Sequence, residues 1–182
     1  MASLAFSLAG HEDIDALVAL VESAYRGAGS AEGWTTEAGM LDGQRVDHEM
    51  LTQTLDRADT IVLVARDEAT LVGCCELQRP GPDGAAHLGM FAVTPGLQGG
   101  GIGRQVLDEA ERIARDEWHA DRLELEVIDI RDSLIAWYER RGYVRTGRFE
   151  PFPYGDERFG IPLRDDLRFE VLEKPLTSVS QG

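Results

Sequence analysis

The spacing of apolar residues divides the chain into short strands and amphipathic helices. Alternation with a period of two predicts a first strand at Leu4–Leu8, and a period near 3.6 predicts a helix that Asp13 caps and that ends at Gly27. Further strands are expected at Thr60–Arg66, Thr70–Arg79, Ala85–Val93, Leu123–Val127, Tyr143–Phe149 and Leu167–Glu173. Further helices are expected from a cap at Asp47 through Leu55, from Val106 towards Trp118, and from a cap at Ser133 to Arg141.

The order of these elements is β-α-α-β-β-β-α-β-α-β-β, which predicts an α/β fold with a mixed sheet and helices on its faces. Residues 28–45 hold four glycines and no regular period, so they are expected to form a long surface loop. No internal repeat or linker divides the sequence, and its 182 residues suit one domain spanning 1–182.

The charge of the chain excludes several classes of partner. It has 33 acidic residues against 18 basic ones, of which only Lys174 is a lysine, so the net charge is −15. Such a surface repels nucleic acid and anionic membranes and suits a cationic or amine substrate. No lysine or arginine precedes Arg26, and no apolar run reaches the roughly 20 residues of a membrane span. A cytoplasmic protein is therefore expected.

Two cysteines, Cys74 and Cys75, are adjacent inside an apolar run. Neighbouring side chains of a strand point to opposite faces, so a disulfide between them would be strained. Two cysteines without spaced histidines or aspartates also do not form a zinc pattern. We expect two buried free thiols and no metal site.

The most informative stretch joins a predicted strand to a predicted helix. It contains five glycines in eight residues from Gly96 to Gly103, which let backbone amides turn outward at the helix N-terminus and bind a phosphate without lysine. A plain glycine-rich turn is the alternative. The spacing G-x-G-x-x-G of dinucleotide sites is absent, and so is the Gly-Lys-Ser/Thr of nucleoside triphosphate loops.

The pattern that fits is Gln98-x-x-Gly101-x-Gly103, which resembles the acetyl-CoA pyrophosphate loop of the GNAT acetyltransferase superfamily. About 40 residues later, Trp137-Tyr138-Glu139-Arg140-Arg141-Gly142-Tyr143 is similar to a second signature of that family. The resemblance covers roughly residues 4–176. It implies a mostly antiparallel sheet of about seven strands with about four helices, and acetyl-CoA as the acyl donor.

The resemblance also implies which residues hold acetyl-CoA and transfer its acetyl group. Tyr138 would protonate the departing thiolate of CoA, although a helix-face aromatic packed in the core is the alternative. The backbone of the strand and loop would bind the pantetheine arm and the pyrophosphate through Phe91, Ala92, Val93, Gln98, Gly99, Gly100, Gly101, Ile102, Gly103 and Arg104.

The general base is less defined by the resemblance. Counting back from Gln98, the position of the carboxylate that some members use is His87, and imidazole exchanges protons near neutral pH. Glu76 and Glu126 are competing candidates, a chain of water molecules is another, and His87 can equally be an ordinary sheet-face residue. Where many members have an asparagine, this chain has Arg131, which would reach a CoA phosphate or be a surface residue.

The acceptor site in this superfamily is built from the loop around the first two helices and from the last hairpin. Both contain aromatic residues near carboxylates, and Trp34 and Tyr154 are the substrate candidates, unless they only seal loops onto the sheet. The expected reaction is N-acetylation of a small or amino-acid-like amine by direct attack in a ternary complex. A protein N-terminus or lysine as acceptor, or a non-catalytic acyl-CoA-binding module, are the alternatives. Homodimers are frequent in the family.

Overall fold

The computed structural model describes residues 3–26, 40–97 and 100–176. Its strands are β1 (Ala5–Leu8), β2 (Leu41–Asp42), β3 (Thr60–Asp67), β4 (Thr70–Gln78), β5 (Ala85–Val93), β6 (Arg122–Ile128), β7 (Val144–Pro151), β8 (Ile161–Pro162) and β9 (Arg168–Pro175). Its helices are α1 (Ile14–Tyr25), α2 (His48–Asp56), α3 (Ile102–Arg112) and α4 (Asp132–Arg140). A π-helical turn, Ile113–Glu117, extends α3. Within the described residues no helix is long and apolar enough to span a bilayer.

Seven strands form one sheet in the order β1-β3-β4-β5-β6-β9-β7. Every neighbouring pair is antiparallel except β5 and β6, which are parallel. Parallel neighbours need a crossover connection, and α3 supplies it. The mixed, mostly antiparallel sheet with four helices confirms the fold class expected from the sequence.

Helices cover both faces of the sheet. One core cluster joins α3 and α4 to the sheet through residues such as Leu107 and Ile135, and the other joins α1 and α2 to the opposite face through residues such as Leu17 and Leu51. Cys74 and Cys75 lie in different clusters and are free and buried, as expected. Burial raises the pKa of the Cys74 thiol to about 12, so it stays protonated.

An irregularity in β5 changes which face its side chains occupy. Leu88 and Phe91 both pack in the α3/α4 cluster, whereas Met90 and Ala92 pack on the α1/α2 side. The alternation is broken at Met90, whose φ of 47° is left-handed, and the register with β4 shifts at the same place. The ladder between β5 and β6 also ends there, with Leu88 opposite Leu125. The two parallel strands therefore pair only over their first halves.

A second sheet of two strands lies outside the sequence-based expectations. Leu41 and Asp42 of β2 pair with Pro162 and Ile161 of β8, which joins the loop before α2 to the last hairpin. Beneath it, a small apolar cluster contains Leu41, Ile128, Phe152 and Leu167. The predicted surface loop is therefore partly packed, at least from residue 40 onward.

Two predicted helix caps differ from those observed. Asp13 does not cap α1 with its side chain; a 3₁₀ turn, His11–Asp13, precedes the helix, and Asp13 accepts a hydrogen bond from the Gly10 amide (2.9 Å). Helix α4 begins one residue before the predicted cap, at Asp132, so Ser133 lies inside it. Asp47 caps α2 as expected, since its carboxylate accepts from the Met50 amide (2.8 Å).

Candidate active site

The loop between β5 and α3 presents open backbone at a helix N-terminus. Gly101 is the N-cap of α3 in the left-handed region (φ 85°), and a Cβ added there would meet nothing within 4 Å. The bond from the Gln105 amide to the Gly101 carbonyl (3.1 Å) is the first of the helix, so the amides before it have no helical acceptor. Such amides bind anions at the positive end of the helix dipole. Gln98 and Gly99 lie outside the described residues.

Close packing fixes the start of α3 against the sheet. A Cβ at Gly73 of β4 would lie 3.1 Å from Val106 and 3.4 Å from Ile102, so only a residue without a side chain allows this approach. Ile102 packs against the α3/α4 cluster, and Gly103 is buried. The packing of α3 against the sheet thereby fixes the end of the loop that is predicted to bind the pyrophosphate.

Three arginines concentrate positive charge beside this loop. The Arg141 guanidinium lies 4.2 Å above the Trp137 ring, and its buried Nε has no hydrogen-bond partner among the described residues. Burial lowers the pKa of Arg141, and the charges of Arg104 and Arg140 lower it further. In a chain of net charge −15, a cluster of three arginines suits an anionic ligand.

Replacing Arg104 and Arg140 together with glutamine is expected to raise the dissociation constant of acetyl-CoA about tenfold to a hundredfold, because two charge-assisted contacts to phosphate are lost. The effect should shrink at high salt, since both side chains are exposed. Isothermal titration calorimetry measures the change. Arg115→Gln is the control, because Arg115 is exposed on the π-helical turn and pairs with Asp116. If the double variant and this control bound acetyl-CoA with equal affinity, Arg104 and Arg140 would not contact its phosphates.

Tyr138 lies near Phe91 of β5, which follows the last residue of that strand to pair with β6. Its ring is buried, with 5% exposure, and its centroid is 6.4 Å from that of Phe91 on β5. No hydrogen bond joins its hydroxyl to any residue that the structure describes, although buried tyrosines usually have such a partner. The nearby Tyr143 differs, because its hydroxyl donates to Glu111 Oε1 (3.0 Å). Of the two, only Tyr138 keeps its proton available for a reaction.

Burial raises the pKa of Tyr138, and nearby Tyr25 raises it further, whereas the charge of Arg131 lowers it. The phenol is therefore fully protonated at neutral pH. Arg131 is itself buried, with 9% exposure, so its interpretation as a surface residue is wrong. It precedes α4, and its amide donates to the Ile128 carbonyl (3.0 Å). A guanidinium here favours negative charge near Tyr138.

The candidate bases lie on the α1/α2 face of the sheet. His87 is half-exposed, and its Nδ1 is 3.8 Å from Oε2 of Glu124. Glu124 is already neutralised by Arg122 (3.0 Å) and Arg148 (2.8 Å), and these contacts outweigh burial and lower its pKa. Strand alternation places Glu126 on the same face as Glu124. Glu126 directly follows Leu125, the last residue of β6 that pairs with β5.

Two carboxylates on this face have properties that suit proton transfer. Removal of water raises the pKa of Glu126, Glu150 raises it further, and His87 lowers it. Burial likewise raises the pKa of Glu76 on β4, which pairs with Gly89 of β5. Glu76 and Glu126, the two carboxylates that compete with His87 as candidate bases, thus lie on the same face of the sheet as His87.

Of the two residues predicted to bind the acceptor, the structure describes only Tyr154. Trp34 lies outside the described residues. Tyr154 is 45% exposed, and its hydroxyl donates to the Arg164 carbonyl (2.9 Å) and accepts from the Leu167 amide (2.9 Å). Its hydroxyl therefore closes the last hairpin, and its ring stays exposed beside Phe152. A role for it in binding stays a prediction.

Tyr25 is a site residue that the sequence analysis missed. It ends α1, and its hydroxyl donates to the Phe91 carbonyl (2.6 Å) 66 residues away. That carbonyl belongs to the strand expected to hold the pantetheine arm. An aromatic residue at the end of an amphipathic helix, such as Tyr25, is also typical of ordinary core packing. The sequence therefore gave no signal for the contact between Tyr25 and Phe91.

Among the described residues, no group of three or more histidine, cysteine, aspartate or glutamate side chains is placed to hold a metal ion. The independence of the reaction from metal ions stays a prediction.

Known proteins resemble this chain in sequence and in fold. An IAA acetyltransferase of Azospirillum brasilense is 32% identical over 130 residues, which cover 71% of this chain and 77% of that protein. An S-(2-succino)cysteine N-acetyltransferase of Bacillus subtilis (strain 168) is 41% identical over 95 residues, 52% of this chain and 56% of that protein. An N-acetyltransferase structure from Staphylococcus aureus Mu50 superposes with a TM-score of 0.73 at 15% identity, covering 96% and 99% of the two chains.

The sequence model of the Acetyltransferase (GNAT) family matches residues 18–143, which include β5, the glycine loop, α3 and α4. This match spans more than half of the chain. The resemblance noted in the two motifs is therefore confirmed: the chain belongs to the GNAT family and is an acetyltransferase.

Proposed function

We propose that the enzyme transfers the acetyl group of acetyl-CoA to the amine of a small molecule by direct attack in a ternary complex. The observation that carries this proposal is Tyr138: a buried phenol with no structural hydrogen bond among the described residues, beside the β5 strand and the start of the acyl-CoA loop. A core aromatic would bond its hydroxyl as Tyr143 does.

In the proposed reaction, an ammonium group of the acceptor first loses one proton to become the nucleophilic amine. Its nitrogen then forms a bond to the thioester carbonyl carbon. The carbon–sulfur bond breaks, nitrogen loses a second proton, and the Tyr138 hydroxyl protonates the departing thiolate before regaining a proton from solvent. The products are an acetamide, CoA and one net proton.

Proton removal is proposed to involve Glu126 with His87 beside it, directly or through water. Their side chains share the α1/α2 face, and the charge of His87 acts on the Glu126 carboxyl. Backbone of Phe91–Val93 is proposed to hold the pantetheine arm, because this segment follows Leu88, the last residue of β5 that pairs with β6 among the described residues. The loop amides of residues 101–104, together with Gln98 and Gly99, would bind the pyrophosphate, and Gly100, whose amide donates to the Leu97 carbonyl (3.2 Å), would shape the loop.

A small acceptor is favoured over a protein by the packing of the last hairpin. The β2–β8 pair joins the two segments expected to bound the acceptor site, and Tyr154 closes the hairpin with two hydrogen bonds. Two relatives are named for the small molecules IAA and S-(2-succino)cysteine, which agrees with this choice.

Initial-rate kinetics test the proposed function. Release of the CoA thiol is measured while acetyl-CoA and each member of an amine panel are varied together. Intersecting double-reciprocal lines are expected for direct transfer, because both substrates must be bound. Parallel lines would contradict it and indicate an acetylated enzyme, and binding of acetyl-CoA without transfer to any amine would indicate a non-catalytic module.

The pH profile of Glu126→Gln tests the base. Because the pKa of Glu126 is raised, the wild-type kcat/KM should fall as the pH drops towards and below that raised value, where the carboxylate becomes protonated. Glu126→Gln should lower kcat/KM about a hundredfold and remove this acidic limb. Glu150→Gln is the control, because it removes a neighbouring charge but not the base. An unchanged acidic limb in Glu126→Gln would assign the limb to another group, and His87→Ala and Glu76→Gln would then be compared.

A further inference from the structure

The loop before α2 is fixed so that one arginine faces the candidate reaction centre. The Glu22 carboxylate of α1 accepts hydrogen bonds from the backbone amides of Arg45 (2.5 Å) and Val46 (2.7 Å). These bonds hold the loop against α1. The Arg45 guanidinium consequently lies 5.2 Å above the ring of Tyr25, whose hydroxyl bonds the Phe91 carbonyl.

Arg45 lacks an ion pair with any carboxylate of the described residues. That is unusual in a chain with 33 acidic residues, where most described arginines are paired, such as Arg66 with Asp13 and Arg145 with Glu170. Arg45 is only partly exposed, so an unpaired charge there is costly. Its charge lowers the pKa of Glu76 on the neighbouring sheet face, but the two groups form no ion pair.

A second guanidinium, that of Arg131, lies near Tyr138. Arg131 is buried at the start of α4, and its charge lowers the pKa of Tyr138. Arg45 and Arg131 thus supply two positive charges near the proposed transfer site, although the chain as a whole carries −15. An anionic group of a substrate would be attracted to these guanidinium groups.

We propose that the acceptor is an amine that also carries a carboxylate, such as an α-amino acid, and that Arg45 binds this carboxylate. The planar guanidinium matches a carboxylate with two parallel hydrogen bonds. Arg131 adds a second positive charge, and Glu76 offers a counter-charge to the ammonium group before it is deprotonated. This assignment rests on the proposed N-acetyltransferase function.

The test compares acceptors that differ only in the carboxylate. Rates of CoA release are measured for a set of α-amino acids, for the corresponding amino-acid amides and for spermidine, with wild-type enzyme, Arg45→Met and Arg57→Gln. Arg57 is the matched control, because its charge also acts on Glu76 but it is exposed and pairs with Asp59. Wild type should prefer the best amino acid to its amide by tenfold or more in kcat/KM.

Arg45→Met should raise the KM for that amino acid about tenfold to a hundredfold, as expected for loss of a charge-assisted contact. The KM for the amide, the KM for acetyl-CoA and all constants of Arg57→Gln should change less than threefold. Because the comparison is made within one variant, a partial loss of folded protein cannot mimic it.

The outcomes separate the two proposals. Faster acetylation of amides or spermidine than of amino acids, or an equal effect of Arg45→Met on amino acid and amide, would overturn the carboxylate assignment and leave the N-acetyltransferase function intact. Binding of acetyl-CoA with no acetylation of any amine in the panel would instead overturn the proposed function.

Discussion

Replacing Tyr138 with phenylalanine is expected to lower kcat about a thousandfold, because general-acid catalysis contributes roughly 10²–10⁴-fold and the other tyrosine hydroxyl described beside β5, that of Tyr25, already donates to the Phe91 carbonyl. The dissociation constant of acetyl-CoA should stay within about threefold, since the ring contacts with Phe91 and Trp137 are retained. Single-turnover measurement of CoA release and calorimetric titration of acetyl-CoA give the two quantities.

Tyr143→Phe is the matched control for this variant. Tyr143 is equally buried but donates its hydroxyl to Glu111, which also pairs with Lys174 (2.9 Å). Removing that hydroxyl leaves a buried carboxylate short of a donor and should cost about 1–3 kcal/mol of unfolding free energy, with kcat nearly unchanged. Full activity of Tyr138→Phe at every pH, or equal kinetic effects of the two variants, would refute Tyr138 as the acid.

Replacing Gly101 with glutamate is expected to weaken acetyl-CoA binding by a hundredfold or more. The backbone at Gly101 is left-handed, and the added side chain would project into the open space at the N-terminus of α3. A carboxylate there would occupy the space proposed for the pyrophosphate and repel it, which removes several charge-assisted hydrogen bonds. Calorimetric titration of acetyl-CoA measures the loss.

Gly147→Glu separates this effect from backbone strain. Gly147 in β7 has a similar φ of 76°, and a Cβ there also meets nothing within 4 Å. Both variants should therefore lose a comparable 1–2 kcal/mol of stability, whereas only Gly101→Glu should lose acetyl-CoA. Normal binding by Gly101→Glu would mean that the pyrophosphate lies elsewhere.

Local patterns were sufficient to predict most of the fold. Period-two and period-3.6 spacing located the seven strands of the main sheet and the four helices, because each buries one face. The glycine loop was also predictable, since a left-handed N-cap such as Gly101 strongly favours glycine. Asp13 is the N-cap residue of α1 as predicted, although its side chain accepts from the Gly10 amide instead, and the cap of α4 was misplaced because several polar residues compete for that helix start.

Contacts between distant segments could not be predicted from the sequence. The left-handed backbone of Met90 has no signature in residue type, yet it lies just beyond the last pair of β5 with β6. The contacts of Tyr25 with Phe91 and of Glu22 with Arg45 join distant segments. They depend on tertiary packing, which periodicity does not report.

The structure changes the interpretation of the charge of the chain more than that of any other property. The net charge of −15 favours a cationic acceptor when the chain is treated as a whole. In the structure, Arg104, Arg140 and Arg141 gather beside the loop, while Arg45 and Arg131 lie near the transfer site. Local potential near a ligand is set by such neighbours rather than by the sum over the surface.

The central claim is that acetyl-CoA donates its acetyl group directly to an amine with Tyr138 as the acid. Quantitative mass spectrometry of a reaction between the enzyme, acetyl-CoA and an amino-acid acceptor tests it most directly. The account predicts one N-acetylated acceptor for each CoA released, no acetyl group left on the enzyme, and a rate about a thousandfold lower with Tyr138→Phe. CoA release without an acetylated acceptor, or equal product formation by Tyr138→Phe, would contradict it.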